Sequence, residues 1–511
     1  MDRRPSTEGV GRSLTVALSL ALGAALLGAA PAPGTSTPGV GAAADPDRAA
    51  ADTRPNIVLL MADDMTYEEL EAMPIVRNQL AARGVAFTRA YSPDPSCCPA
   101  RATLLTGQYA QNHGVYANKP PRGSWSQYRD DEANSLPVWL DRAGYTTSWI
   151  GKYMNDYPGT EDPRTVPVGW DRWYVPTHGV YDYRRWTLNH DGRLRDQGPR
   201  YQTLAWRDEA LRQVDQLSAE AAPFFLTVSF LGPHKGSPHD DDDVFVDGKE
   251  DPGTPFVLAQ DRDDWSGVPV LDKPNIPEDN VWDKPEYVQE ANARPIDRES
   301  LREAREQRRE ALASVDRAVG SLVQRLRYNG ELDNTLVVFT SDNGYLLGEH
   351  GLLKKSLPYE ESVRVPLVVR GPGFAEGAEV SVPVSHADLT PTFVRVADAE
   401  ARRPQDGVSL FRVLAGGASW NRREILLQYE APGVVRGKRM RWAGLRGTRW
   451  AYFEYANGER ELYDMRRDPF QLHNVVDRRE QAARVRGLHR QLAVLEECSG
   501  RACSRSATQR P

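Results

Sequence analysis

Four short runs of the chain are apolar at nearly every position: residues 56–61 (NIVLLM), 224–230 (FFLTVSF), 336–340 (LVVFT) and 367–369 (LVV). Continuous apolar runs of this length, rich in branched residues, predict strands buried on both faces. Between the second and third, Leu312, Val315, Val319, Leu322 and Leu326 recur at helical spacing, and Asn329-Gly330 supplies a stop. Buried strands alternating with amphipathic helices predict a layered α/β domain.

The texture changes after about residue 420. Residues 424–430, 440–446, 449–455 and 461–464 read as short strands, with tight turns at Gly447-Thr448 and Asn457-Gly458. A charged helix over 479–497 follows. The expected organisation is therefore a leader over 1–44, a main domain over 54–420, and a small C-terminal antiparallel sheet with a helix over 421–511. At the start, Arg3, Arg4 and Arg12 precede an apolar stretch over 14–30, and Ala42-Ala43-Ala44 offers a small-residue cleavage site. That is the layout of an export signal, and the stretch is too Ala- and Gly-rich and too short for a stable membrane span of about 20 residues. A secreted protein is expected.

With 511 residues, 40% apolar and 26% charged, wholesale disorder is excluded. The net charge of −7 and the lack of a basic stripe argue against nucleic acid as a partner. The basic stretches at 302–309 and 436–441 and the acidic run at 240–243 read as solvated surface. Of the four cysteines, Cys498 and Cys503 make a plausible local disulfide in an oxidising compartment, whereas the adjacent Cys97 and Cys98 would bridge only with strain.

Three of the predicted strands end in polar groups: Asp63-Asp64, Asp342-Asn343-Gly344, and Gly232-Pro233-His234. In layered α/β sheets, ligands bind outside the carboxyl ends of the strands. One Asp after a strand is usually a turn former, but two separate ends each carrying a metal-capable pair point to a site. In Ser96-Cys97-Cys98-Pro99-Ala100-Arg101, Pro99 suits a first helical turn, and helical residues continue to Gly107. Cys97 is then expected at a helix N-terminus, which favours an anion and would activate the cysteine as a thiolate, with Arg101 one turn on.

The stretch from Cys97 through Pro99 and Arg101 to Thr106-Gly107 resembles the signature of the sulfatase family, in which that Cys becomes formylglycine. The resemblance runs on through Gly151-Lys152, Pro233-His234, Asp342-Asn343-Gly344, Lys355, Tyr359-Glu360 and Glu461-Leu462-Tyr463-Asp464. It implies an alkaline-phosphatase-like fold, an α/β/α sandwich around a large mixed, mostly parallel sheet. It also implies a Ca²⁺ ion, with Mg²⁺ as the alternative, held by Asp63, Asp64, Asp342, Asn343 and an oxygen of modified Cys97; these hard oxygen donors suit such an ion. Arg101 would orient the formylglycine hydrate. Lys152, Asn155, His234 and Lys355 would hold the sulfate group, with His234 or Lys355 protonating the leaving alcohol. A formylglycine-generating enzyme is implied for maturation.

One departure matters. Many arylsulfatases carry a His in Gly-Lys-Trp-His, whereas this chain reads Gly151-Lys152-Tyr153-Met154-Asn155. That leaves the elimination base open; His113 is one candidate, although a structural role is the plainer reading. The same stretch, with Asn112-His113 and Arg370-Gly371-Pro372-Gly373, resembles the N-acetylglucosamine-6-sulfatase branch, which implies a sulfated amino sugar or glycan. Trp125, Trp170, Trp173 and Trp186 read first as packing residues, with a sugar platform as the alternative. The rival readings are a phosphonate or phosphodiester hydrolase of the same superfamily, and a non-catalytic glycan-binding surface protein in which Cys97 stays unmodified.

Overall fold

The four apolar runs are strands, and they lie side by side. The computed structural model describes residues 52–504 except 242, 245, 270, 293–294, 417–423 and 436–437, with backbone only for 432–435 and 438–439. The expected signal and leader over 1–44 lie outside the described residues.

Among the described residues, ten strands form one sheet. In chain order they are β1 (Asn56–Ala62), β2 (Val85–Phe87), β3 (Thr146–Gly151), β4 (Arg172–His178), β5 (Trp186–His190), β6 (Arg193–Gln197), β7 (Phe224–Ser229), β8 (Thr335–Ser341), β9 (Leu367–Arg370) and β10 (Ala378–Val380). Their spatial order is β10-β2-β9-β8-β1-β7-β3-β4-β5-β6. The centre, β8-β1-β7-β3-β4, is parallel throughout, and antiparallel strands flank it on both sides. The sheet is therefore mixed and mostly parallel, as expected.

Alternate residues of β1 explain why its run is apolar at every position. Ile57, Leu59 and Met61 face one core with Ala102, Leu105, Leu389 and Phe393. Val58, Leu60 and Ala62 face the other with Val214, Leu312, Val315 and Leu322. All of β1's apolar side chains are fully buried, each contributing about 1.5–3 kcal/mol for the larger ones. Helices thus cover both faces: α1 (Cys97–Thr106) on the first, α2 (Gln202–Leu217) and α3 (Arg298–Tyr328) on the second. Asp297 starts α3 by accepting from the backbone of Glu299 and Ser300.

The antiparallel sheet and helix expected after residue 420 are present. Strands β11 (Ile425–Val435), β12 (Lys438–Arg446), β13 (Trp450–Tyr455) and β14 (Arg460–Asp464) form an antiparallel meander, followed by α4 (Ala482–Glu496). Leu488, Leu492 and Leu495 of α4 pack on Leu445, Tyr452 and Leu462 of this sheet. Cys498 and Cys503 are disulfide-bonded, while Cys97 and Cys98 are free.

Two surface expectations are corrected. Arg305, Arg308 and Arg309 are buried, pairing with Glu349, Glu69 and Glu71. The basic stretch at 302–309 is a bracing face of α3 because its carboxylate partners come from distant loops, invisible to local reading. Arg441, by contrast, is exposed beside Glu496. In the acidic run, Asp240 is buried and Asp243 is half-buried with its side chain covered: Asp240 pairs with Arg262 and accepts from the Val257 N–H at 2.8 Å, and Asp243 accepts from Gln307 Nε2 at 2.8 Å. They staple their loop rather than face solvent.

Candidate active site

Register brings the polar strand ends together. Met61 of β1 lies opposite Thr340 of β8 on one side and Ser229 of β7 on the other, and Ser229 lies opposite Gly151 of β3. Asp63-Asp64, Asp342-Asn343, Lys152 and the loop to His234 therefore leave the sheet at one edge. Gly151 has φ 91°, and a Cβ there would sit 2.0 Å from the Ser229 carbonyl, so only glycine lets β3 turn Lys152 into this edge.

Helix α1 begins at Cys97 after the extended residue Ser96 and stops at Gly107, which is left-handed at φ 71°. Its N-terminus is aimed at the strand ends: Cys97 Sγ lies 3.7 Å from Asp63 Oδ1 and 4.0 Å from Asp64 Oδ1. Lys152 Nζ is 3.5 Å and Lys355 Nζ 2.9 Å from the same sulfur. Lys152 also pairs with Asp63, and Lys355 with Asp64. Asn343 Nδ2 donates to Asp64 Oδ1 at 2.6 Å, and its Oδ1 accepts from Lys355 at 3.4 Å. His234 Nε2 stands 3.4 Å from Asp64 Oδ2. Asp63, Asp64, Cys97 and Asp342 are buried.

Arg101 locks the carboxylates. Its Nε donates to Asp342 Oδ2 at 2.9 Å and its Nη2 to Asp63 Oδ2 at 3.2 Å. Nη1 donates to the Lys152 and Tyr153 carbonyls and to Ser229 Oγ at 2.7, 2.9 and 2.9 Å. Behind it, Arg308 forks onto Glu69 at 2.7 and 2.8 Å and reaches the Asp64 carbonyl. Arg308 and Glu69 are site supports that sequence reasoning missed; a charge on the apolar side of a helical pattern was the signal available.

The thiolate expectation is corrected. Burial pushes the Cys97 thiol well up, against the pull of Lys152 and Lys355, and the nearby Asp342 and Asp63 add to the rise. A helix N-terminus does not activate a thiol that is buried among carboxylates. Burial also works to raise Asp64, but Lys355, His234 and Lys152 outweigh it and hold the carboxyl below its ordinary range.

His113 is structural. Its Nδ1 accepts from the Val115 N–H at 3.1 Å, which leaves Nε2 to donate to Thr103 Oγ1 at 3.1 Å, and burial pushes its pKa down to about 3. Trp125, Trp170, Trp173 and Trp186 are buried, so the packing reading of these tryptophans holds. Asn155 is tied to the signature helix: its N–H donates to Cys98 Sγ at 3.1 Å.

The cluster suits a divalent cation. Asp63, Asp64, Cys97 and Asp342 each offer a ligand atom, all within 4.8 Å of one another. Asp64 Oδ2 is buried without a hydrogen-bond partner, the state of an oxygen shaped for an ion. The family model for sulfatases matches residues 55–399.

This chain belongs to the sulfatase family.

A second model, for the C-terminal part of N-sulphoglucosamine sulphohydrolase, matches residues 348–498 of this sulfatase. An N-acetylglucosamine-6-sulfatase of Capra hircus is 30% identical over 499 residues, covering 88% of this chain and 85% of the relative. An extracellular sulfatase homologue of Drosophila melanogaster is 33% identical over 377 residues, covering 71% of this chain and 32% of the relative. The chain spans half or less of the length of the extracellular sulfatases it matches. A solved structure in complex with its substrate, D-glucosamine-2-N,6-O-disulfate, superposes with TM-score 0.65 at 23% identity, covering 86% of this chain and 97% of that one, which establishes the fold. No helix among the described residues is long and apolar enough to cross a membrane.

Proposed function

We propose that this sulfatase hydrolyses sulfate esters of amino sugars or related glycans, using formylglycine made from Cys97. The observation that carries this reading is the convergence of Lys152 Nζ and Lys355 Nζ, at 3.5 and 2.9 Å, on the Cys97 sulfur at the mouth of α1. Similarity to N-acetylglucosamine-6-sulfatases supports the sugar.

The hydrated aldehyde would supply the nucleophile, and a divalent cation, with Ca²⁺ preferred for its hard oxygen donors, would supply Lewis acidity. Asp63, Asp64, Asp342, the amide oxygen of Asn343 and an oxygen of modified Cys97 would hold that ion. Arg101 keeps Asp63 and Asp342 in place. Lys152 and Lys355 put two positive charges, and α1 its N-terminal dipole, where the sulfuryl oxygens must lie. His234 Nδ1 donates to the Lys235 carbonyl at 2.6 Å, so in the neutral ring that burial favours Nε2 faces the site without a proton, and the Lys355 ammonium holds the proton for the leaving alkoxide. Asn155 orients the sulfated group beside Lys152.

Residues 54–420 act as the catalytic domain and 421–511 as a small appended subdomain, in this reading. Export by the N-terminal signal and maturation by a formylglycine-generating enzyme complete it; the extracellular relatives support the former.

The test is paired. Mass spectrometry of the Cys97 peptide reports conversion, and parallel assays of an aryl sulfate and an aryl phosphodiester report the reaction. A kcat/KM favouring the phosphodiester would replace this reading with the phosphodiesterase one. An unconverted thiol with no turnover, in protein from its own host, would replace it with the glycan-binding one.

A further inference from the structure

Lys152, Asn155 and His234 meet on one residue that no sequence pattern singled out. Asn155 Nδ2 donates to Tyr181 OH at 2.6 Å. The His234 ring stacks on Tyr181 with centroids 4.7 Å apart and planes at 29°. Lys152 Nζ lies 4.8 Å from the centroid of the Tyr181 ring, within reach of a cation–π attraction. Tyr181 sits in none of the sheet strands, on the loop between β4 and β5.

The same tyrosine lines a cavity of about 690 Å³, together with Asp156, Tyr157, Glu161, His178 and Asp182. Asp156, Glu161 and His178 are exposed, so the cavity opens to solvent at their rim. Asp156 directly follows Asn155, which ties this space to the reactive group through the chain as well as through Tyr181. The volume is that of a small-ligand cleft.

We propose that Tyr181 is a positioning and specificity-determining residue: it holds Lys152, Asn155 and His234, and it walls the cavity that takes the sugar ring of the leaving alcohol. The inference rests on the sulfated-sugar reading above. Charge sets the class of sugar. Three carboxylates, Asp156, Glu161 and Asp182, line the cavity, and among the described residues no Lys or Arg does. Glu161 is paired with Arg129 at 2.6 Å across the rim, which leaves the balance acidic. A second anionic group on the sugar is repelled there, whereas an uncharged N-acetyl group or a free amine is accepted.

The experiment compares converted wild type, Tyr181→Phe and Glu161→Lys on a small aryl sulfate, N-acetylglucosamine 6-sulfate and glucosamine 2-N,6-O-disulfate. Tyr181→Phe keeps the ring and loses the hydroxyl that holds Asn155, so kcat should fall about tenfold on aryl sulfate and sugar alike, with KM for the aryl sulfate within about twofold. Glu161→Lys should raise the ratio of kcat/KM for the disulfate over the monosulfate by about fivefold at low salt, an effect that shrinks as salt is added. Unchanged kcat in Tyr181→Phe, or an unchanged ratio in Glu161→Lys, would overturn the proposal. Should Tyr181→Phe fold poorly, the exposed Glu161→Lys still decides. A wild type active on aryl sulfate but on neither sugar removes the sulfated-sugar reading and this inference together. A wild type active on the sugars with unresponsive variants removes the inference alone.

Discussion

Arg308 Nη2 donates to the main-chain carbonyl of Asp64 at 2.5 Å, so a side chain from the middle of α3 supports the backbone of the carboxylate pair. The same guanidinium forks onto Glu69, and both residues are buried. The turn at Asp64 is held against its own preference, at φ 64°.

Arg308→Met therefore leaves Glu69 as an uncompensated buried charge. The expected cost is about 3–5 kcal/mol in urea unfolding, with a turnover loss of at least about tenfold. The double variant with Glu69→Gln should recover part of the stability. If the single variant unfolds like wild type, the brace has no energetic weight.

Cys97→Ala should abolish sulfate-ester turnover and leave the circular dichroism unchanged. Cys98 is expected to matter less, but its sulfur accepts the Asn155 N–H, so Cys98→Ala should lower kcat/KM by less than about tenfold. Equal losses in kcat/KM at both positions would mean the nucleophile is misassigned.

Asp342 touches Arg101 and the N–H groups of Asp64 and Asn343. Asp342→Asn preserves the shape and removes a charge, so bound divalent metal measured by elemental analysis should fall to well under one equivalent. Full retention of metal would exclude Asp342 from the ligand set.

Glu132 gives a pH signature of stability away from the site. Burial raises its pKa to about 7, although Trp125 Nε1 and Tyr153 OH donate to it. The folded state thus binds more protons than the unfolded state between the ordinary carboxyl pKa and about 7, and stability falls as pH rises through that window. Glu132→Gln should flatten this part of the Tm-against-pH curve; a slope identical to wild type would mean Glu132 is not responsible for it.

His113→Gln tests the structural assignment of that histidine. With both ring nitrogens occupied and a pKa near 3, it carries no proton to the reaction at neutral pH. Tm should drop by several degrees while the pH profile of kcat keeps its shape. A lost basic or acidic limb would restore His113 as a candidate base.

By itself the sequence determined what local pattern can carry. Runs such as NIVLLM read as doubly buried strands, because they are short, rich in branched residues and apolar at positions that face both sides of a sheet. The stretch from Cys97 to Gly107 had to be a helix with its own stop, and acids at strand ends marked the ligand edge. The resemblance to the family signature is what proposes the nucleophile, the carboxylates and the lysines. What the tertiary structure decided depends on groups far apart in the chain. The burial of Arg308 was set by Glu69, 239 residues away, and the neutral thiol of Cys97 by desolvation that helix position does not reveal. Tyr181 gained its place only when the loop between β4 and β5 folded over Lys152, Asn155 and His234. Charge, proton affinity and ring contacts are properties of a surrounding, and the surrounding exists only once the chain has closed on itself.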